Sequence, residues 1–296
     1  MRLCTWVKRL TPLVLVLISC GRDGEKIVVG SKNFTESVLL GEIVAQQLER
    51  HGLEVDRRFN LGGTFICHSA MVAGQLDTYI EYTGTAHSAI LELATVKDPA
   101  RVRTVVDSVY RERWGIIWAR PLGFNNTFAM LIRGEEARRL GLETLSDAAP
   151  YASQWRLGAG YEFIERADGY HGLIAEYGMS FAGQPLEMDL GLTYRALAEG
   201  RVDMIAGNAT DGQIAALDLF HLQDDRGYFP PYEAIPLVRS EVLERYPVIT
   251  EVLGALAGAI TDSGMIHLNR QVDVDGRDVR EVVREFLITV SDTGQL

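Results

Sequence analysis

The chain has 296 residues, with 29 Lys and Arg against 40 Asp and Glu, a formal charge of −11. That balance is wrong for a protein that grips nucleic-acid phosphates, whose affinity rests on Lys and Arg, and three cysteines are too few for a disulfide-built scaffold. Hydrophobic residues at 47% and charged residues at 23% exclude a disordered or low-complexity chain, and the length suits two domains.

Residues 1–9 carry Arg2, Lys8 and Arg9 and no acid, and Leu10–Ile18 is a nearly continuous apolar run. At 1.5 Å per residue that run is too short for the ~30 Å hydrocarbon core of a bilayer, so it reads as an export signal. It ends Leu17-Ile18-Ser19-Cys20, which resembles the lipobox of bacterial lipoproteins and implies removal of residues 1–19 and acylation of Cys20. Ile18 departs from the small residues more usual at that place. The processed chain of 277 residues would carry 26 basic against 40 acidic groups, or −14. Residues 20–25 then form a tether, and Cys67 is left alone, read as a small buried apolar side chain. No second long apolar stretch follows, so the remainder is expected to sit outside the cytoplasmic membrane, in the periplasm or at the cell surface.

Lys26–Gly30 is a short β-branched run stopped by glycine, a buried strand. Thr35 or Ser31 can cap the helix that follows, where Leu40, Ile43, Val44 and Leu48 share one face and Gly52 is the stop. Val55–Phe59 is the next strand. Strand, helix, strand in this order implies a right-handed βαβ unit and a parallel sheet.

The same grammar returns with Arg156–Ala159 as strand, Gly169–Tyr177 as helix closed by Gly178, and Leu186–Leu190 extended. A tighter echo lies beyond each unit. Residues 70–77 (AMVAGQLD) match residues 196–203 (ALAEGRVD), each reading as a helix end, a glycine stop and a strand opened by aspartate. The offset of 126 makes Tyr82 and Asn208 equivalent, each leading into a Gly/Thr-rich loop. Two similar α/β lobes imply a cleft, and ligands of open α/β sheets bind beyond the carboxyl ends of strands. Lobe I is assigned to residues 26–127 plus 230–296 and lobe II to residues 128–229, with Val279, Val282, Val283, Phe286 and Leu287 as the core stripe of the last helix.

Local signatures of catalysis are missing. The six histidines show no HExxH pair and no spacing suited to a metal, and there is no G-x-S-x-G elbow, P-loop or G-x-G-x-x-G after a strand. A binding protein without cofactor or metal is therefore expected rather than an enzyme, with a secreted hydrolase on a two-lobed fold or a structural lipoprotein as the rival classes.

Six segments then point to a ligand: GSKNFTES (30–37), NLGGT (60–64), EYTGTA (81–86), GFNNT (123–127), TDG (210–212) and YFPPY (228–232). Together they resemble the substrate-binding proteins of osmoprotectant ABC importers, the glycine betaine, choline and carnitine receptors of the OpuC/OsmX type, from Lys26 to about Leu287. The resemblance implies an α/β, two-lobed periplasmic-binding-protein fold of type II, each lobe a sheet flanked by helices, with the ligand between them. It implies an aromatic cage for a trimethylammonium group at Tyr82, Phe128, Asn208 and Tyr232, and a seat for a carboxylate at Lys32, Thr85 and Arg166. An ABC permease, its ATPase and a membrane holding the lipid of Cys20 are the implied partners, and a monomer is expected.

The physics of those residue types is coherent. A quaternary ammonium has no N–H to donate, so ring faces attract it, by ~0.5–1 kcal/mol when exposed and ~2 or more when desolvated. A carboxylate needs donors, and Arg supplies two at once. Tyr79, three residues before Tyr82, falls on the opposite strand face and reads as structural. Phe128 keeps a π face where the family has tyrosine, but Asn208 has none. A weaker cage with an added amide points to a betaine with a further polar portion, such as carnitine or ergothioneine, rather than to glycine betaine itself, and the runner-up reading is a receptor of the same architecture for another small cation or an amino acid.

Overall fold

The computed structural model describes residues 26–292; the signal segment, the tether and Cys20 lie outside them. Among the described residues ten strands form two five-stranded sheets. The first holds β1 (Ile27–Gly30), β2 (Val55–Arg58), β3 (Thr78–Tyr82), β4 (Ile116–Trp118) and β10 (Ala234–Arg239), in the order β2-β1-β3-β10-β4. The second holds β5 (Phe128–Arg133), β6 (Leu157–Ala159), β7 (Leu186–Glu187), β8 (Met204–Asn208) and β9 (Leu219–His221), in the order β7-β6-β8-β5-β9. The two orders are one pattern used twice. In each sheet three parallel strands meet a fourth that runs antiparallel, β10 against β3 and β5 against β8.

The echo at offset 126 has a physical counterpart. Gly74 (φ +71°) and Gly200 (φ +70°) both turn the chain in the left-handed region, which favours glycine. After each, an aspartate side chain ties the coming strand to its neighbour: Asp77 Oδ2 accepts from Val28 N at 2.8 Å and Asp203 Oδ2 from Arg156 N at 2.9 Å. β3 and β8 then end on Tyr82 and Asn208.

Apolar groups cover both faces of both sheets. In the first, α1 (Thr35–Arg50) packs Leu39, Leu40, Ile43, Val44 and Leu48 with Val282, Val283 and Leu287 of the last helix. The opposite face holds Met71 of α2 (Thr64–Val72), with Tyr79, Val102, Val106, Tyr110 and Trp118. Cys67 lies in this layer, fully buried, and burial pushes its thiol up to about 12, so it is an inert packing group. Tyr79 is buried there too, its hydroxyl donating to Glu81. The second sheet is covered by Leu157, Phe163, Leu173 and Tyr177 on one side and by Leu131, Tyr194, Leu197 and Ile205 on the other.

Three local expectations are corrected. Neither Ser31 nor Thr35 caps α1, which is preceded by Phe34 with extended backbone. Ser31 Oγ instead accepts from Asn60 N and donates to Lys32 O, while Thr35, already helical, donates to Asp273. Residues 186–190 are extended only over Leu186–Glu187, because Asp189 caps a helix starting at Leu190 by accepting from Gly191 N at 2.9 Å. Residues 83–85 are a helical turn, not an open loop, and run into a wider turn over Ala86–Ile90. Gly84 permits that turn to approach the incoming chain, since a Cβ there would lie 2.7 Å from both Pro231 O and the Tyr232 ring.

Candidate functional site

Both sheets direct their strand ends into one cavity of about 670 Å³. All seven residues singled out as ligand contacts line it: Lys32, Tyr82, Thr85, Phe128, Arg166, Asn208 and Tyr232. The register explains how. Tyr82 ends β3 opposite Ala234, two residues past Tyr232, and Asn208 ends β8 opposite Phe128, the first residue of β5. Sequence positions 126 apart thus face one space from two sheets.

The aromatic wall is broader than the three rings expected. Phe34 adds a ring 6.3 Å from Tyr82 and Phe163 one 5.0 Å from Phe128, while Phe229 backs Phe128 at 5.7 Å from outside the lining. Phe128 and Tyr232 meet edge to face at 5.6 Å, and the site's own cations already stand over its rings, the Arg166 guanidinium carbon 5.0 Å from the Phe128 centroid and 5.8 Å from that of Tyr232, and Lys32 Nζ 5.2 Å from that of Tyr82. Phe34 is part of the GSKNF segment and so was visible in the sequence. Phe163 carries no motif.

Neither cation of the site is a surface charge. Lys32 is 3% exposed, and its Nζ donates to Glu81 at 2.5 Å and to Thr64 at 2.8 Å. Arg166 is 6% exposed and grips Asp168 with two parallel bonds, Nε to Oδ1 at 2.9 Å and Nη2 to Oδ2 at 2.7 Å. Burial works against the Arg166 charge, but Asp168 more than offsets it, so the guanidinium titrates above its ordinary range. A buried charge persists only when paired in this way. Each pair is neutral in sum, and what it presents to a ligand is donors. Lys32 uses two of its three N–H bonds on the partners above.

Four contacts tie the lobes around the cavity. Arg166 Nη1 donates to Thr85 Oγ1 at 3.1 Å, and Tyr232 donates its hydroxyl to Asp168 at 2.6 Å. Glu162 accepts from Thr64, described further below. The fourth is Glu36, a carboxylate that sequence reasoning passed over because an acid in the first turn of a helix is ordinary. It is buried, and it accepts from Tyr82 (2.6 Å), Asn126 (2.8 Å), Asn269 (3.0 Å) and Thr210. Burial pushes its carboxyl above the usual range against those four bonds. Glu36 thereby holds the Tyr82 ring, the crossover at Asn126 and the second lobe at Thr210 around one point.

A family described as the substrate binding domain of the ABC-type glycine betaine transport system matches residues 25–289. The chain belongs to that family. Its fold is the type II periplasmic-binding-protein fold, and a crystal structure described as a glycine betaine/carnitine/choline ABC transporter superposes with a TM-score of 0.75 at 31% identity, over 89% of this chain and 98% of that one. The carnitine transport binding protein OpuCC of Listeria monocytogenes is 32% identical over 282 residues, 92% of this chain and 91% of that protein. The ergothioneine transport permease/ergothioneine binding protein EgtU of Helicobacter pylori is 35% identical over 269 residues, 90% of this chain but 48% of that protein, so this chain spans about half of its length. Such relatives are transport binding proteins. Among the described residues no helix is long and apolar enough to cross a membrane.

Proposed function

We propose that this protein is the extracytoplasmic receptor of an ABC importer and that its ligand is a zwitterion bearing a trimethylammonium group and a carboxylate. The observation that carries the reading is the convergence of Tyr82, Phe128 and Tyr232 with Lys32, Thr85 and Arg166 on one cavity. The rings receive the cation and the donors receive the carboxylate, so binding needs both lobes at once. That is a route from occupancy to closure, because only the closed form makes both sets of contacts. The protein releases its ligand unchanged to a permease and is not an enzyme. Cys20 holds it to a membrane as a monomeric lipoprotein, and globomycin, which blocks lipoprotein signal cleavage, makes a larger precursor accumulate.

A second reading concerns size. Asn208 supplies an amide where a fourth ring would stand, and a cavity of about 670 Å³ exceeds what trimethylammonium acetate fills. Both favour a betaine with a further polar portion, such as carnitine or ergothioneine. Calorimetric titration with glycine betaine, choline, carnitine and ergothioneine tests both readings. Tightest binding to glycine betaine overturns the second, and no binding to any overturns the first.

A further inference from the structure

We infer that Glu162 is an internal competitor for the ligand's carboxylate, a latch that closes the lobes and sets the preference between carboxylated and carboxylate-free ligands. This rests on the proposed ligand class but adds a residue that no motif marks. Glu162 lies in the short helix Tyr161–Glu165 of the second lobe and lines the cavity. Its side chain crosses to the first lobe, where Oε1 accepts from the backbone N–H of Thr64 and Oε2 from the Thr64 hydroxyl at 3.0 Å. Gly63, before α2, has no side chain to cap that helix, and a Cβ there would overlap Glu162 Oε1.

The surroundings of this carboxylate are those assigned to the ligand's. Thr64 Oγ1, which donates to Glu162, itself accepts from Lys32 Nζ at 2.8 Å. On the other side Arg166 Nη1 stands 3.8 Å from Glu162 Oε2, while the same Nη1 bonds Thr85. Lys32 and Arg166 are thus each one hydrogen bond or ion pair from Thr64 or Glu162, and Thr85 is one bond further on, through Arg166. Lys32 and Arg166 already hold one buried acid apiece, Glu81 and Asp168. Glu162 is different: its side chain is 30% exposed, against 1% or less for those two, and so is free to swing out.

Two carboxylates cannot share one set of donors without mutual repulsion. A ligand with a carboxylate must therefore move Glu162 aside, and its apparent affinity is its intrinsic affinity multiplied by the fraction of molecules in which the latch is already open. A ligand without one leaves Glu162 in place, and the protein's own carboxylate bridges the lobes for it.

The test uses purified protein, glycine betaine and choline, two ligands with the same trimethylammonium head. Glu162→Gln keeps size and removes charge; Gly63→Ala displaces the side chain while keeping its charge. Both variants are expected to raise the ratio of glycine betaine to choline affinity about tenfold, with glycine betaine gaining and choline unchanged or weaker. Small-angle scattering of the protein alone is expected to show a larger radius of gyration in both. A ratio unchanged within twofold, or equal losses for the two ligands, overturns the competitor role. Should the unaltered protein bind neither ligand, the proposed ligand class fails and the preference with it, and an unchanged radius of gyration in both variants overturns the latch on its own.

Discussion

Tyr232 separates two contributions that a simple truncation would merge. Tyr232→Phe keeps the ring on the cavity and deletes only the hydroxyl that donates to Asp168 at 2.6 Å. A hydrogen bond to a charged group is worth about 1.5–3 kcal/mol net. Asp168 keeps both bonds from Arg166, so it is not orphaned and the lower figure applies. That bond joins the lobes, so its loss falls on the closed form, and about 1.4 kcal/mol is tenfold in affinity. Because the bond is between protein groups, glycine betaine and choline should lose that tenfold alike. Tyr232→Leu also removes the ring, and a desolvated cation–π contact of ~2 kcal/mol makes affinity weaker by roughly a further tenfold or more. Calorimetry on both variants with both ligands is the assay. A Tyr232→Phe protein within twofold of the original, or one that discriminates between the ligands, refutes the reasoning.

Three further outcomes follow from the site. Arg166→Ala should weaken carboxylated betaines at least tenfold more than choline, and equal losses by calorimetry would remove Arg166 from the carboxylate seat. Lys32→Met leaves Glu81, with no exposed side-chain surface, as an unpaired buried charge, a change that costs about 3–5 kcal/mol; adding Glu81→Gln should recover most of the loss in melting temperature, and a Lys32→Met protein as stable as the original contradicts the pairing. Asp211 is held at about 6 by burial, with Asp273 and Glu36 nearby, against an ordinary 3.8. Its folded form prefers the proton, so the cost grows as pH rises from 3.8 to about 6 and reaches about 3 kcal/mol at pH 7. Asp211→Asn should therefore raise the melting temperature by roughly 2–6 °C at pH 7.5 and by little at pH 4; a gain at pH 4 equal to that at pH 7.5 would contradict it.

The fold was legible where the chain repeats itself. The match of residues 70–77 with 196–203 placed Tyr82 and Asn208 at equivalent strand ends, because glycine turns and strand-opening aspartates are local devices that survive in sequence. Helix starts were less legible, since Ser31 and Thr35 spend their hydroxyls on Asn60, Lys32 and Asp273, partners up to 238 residues away. At the site, types and motifs indicated which residues meet, but not what each already holds. Glu81 precedes Tyr82 and so points to the opposite strand face, yet Lys32 reaches it; nothing local announces that pair. Asp168 was visible only as a neighbour of Arg166. Glu36 and Glu162 escaped notice because their meaning comes from donors on other elements, Thr210 and Asn269 for one, Thr64 for the other. Tertiary partnership, rather than residue type, decides their roles.

The central claim is that the rings of this cavity read the positive charge of a trimethylammonium group. It is tested most directly by comparing glycine betaine with 3,3-dimethylbutanoate, the same shape with carbon in place of the charged nitrogen. Calorimetry should give saturable one-site binding for the betaine and binding weaker by about tenfold or more for the carbon analogue, the worth of a desolvated cation–π contact. Equal affinity for the two, or no binding by the betaine, would contradict the account.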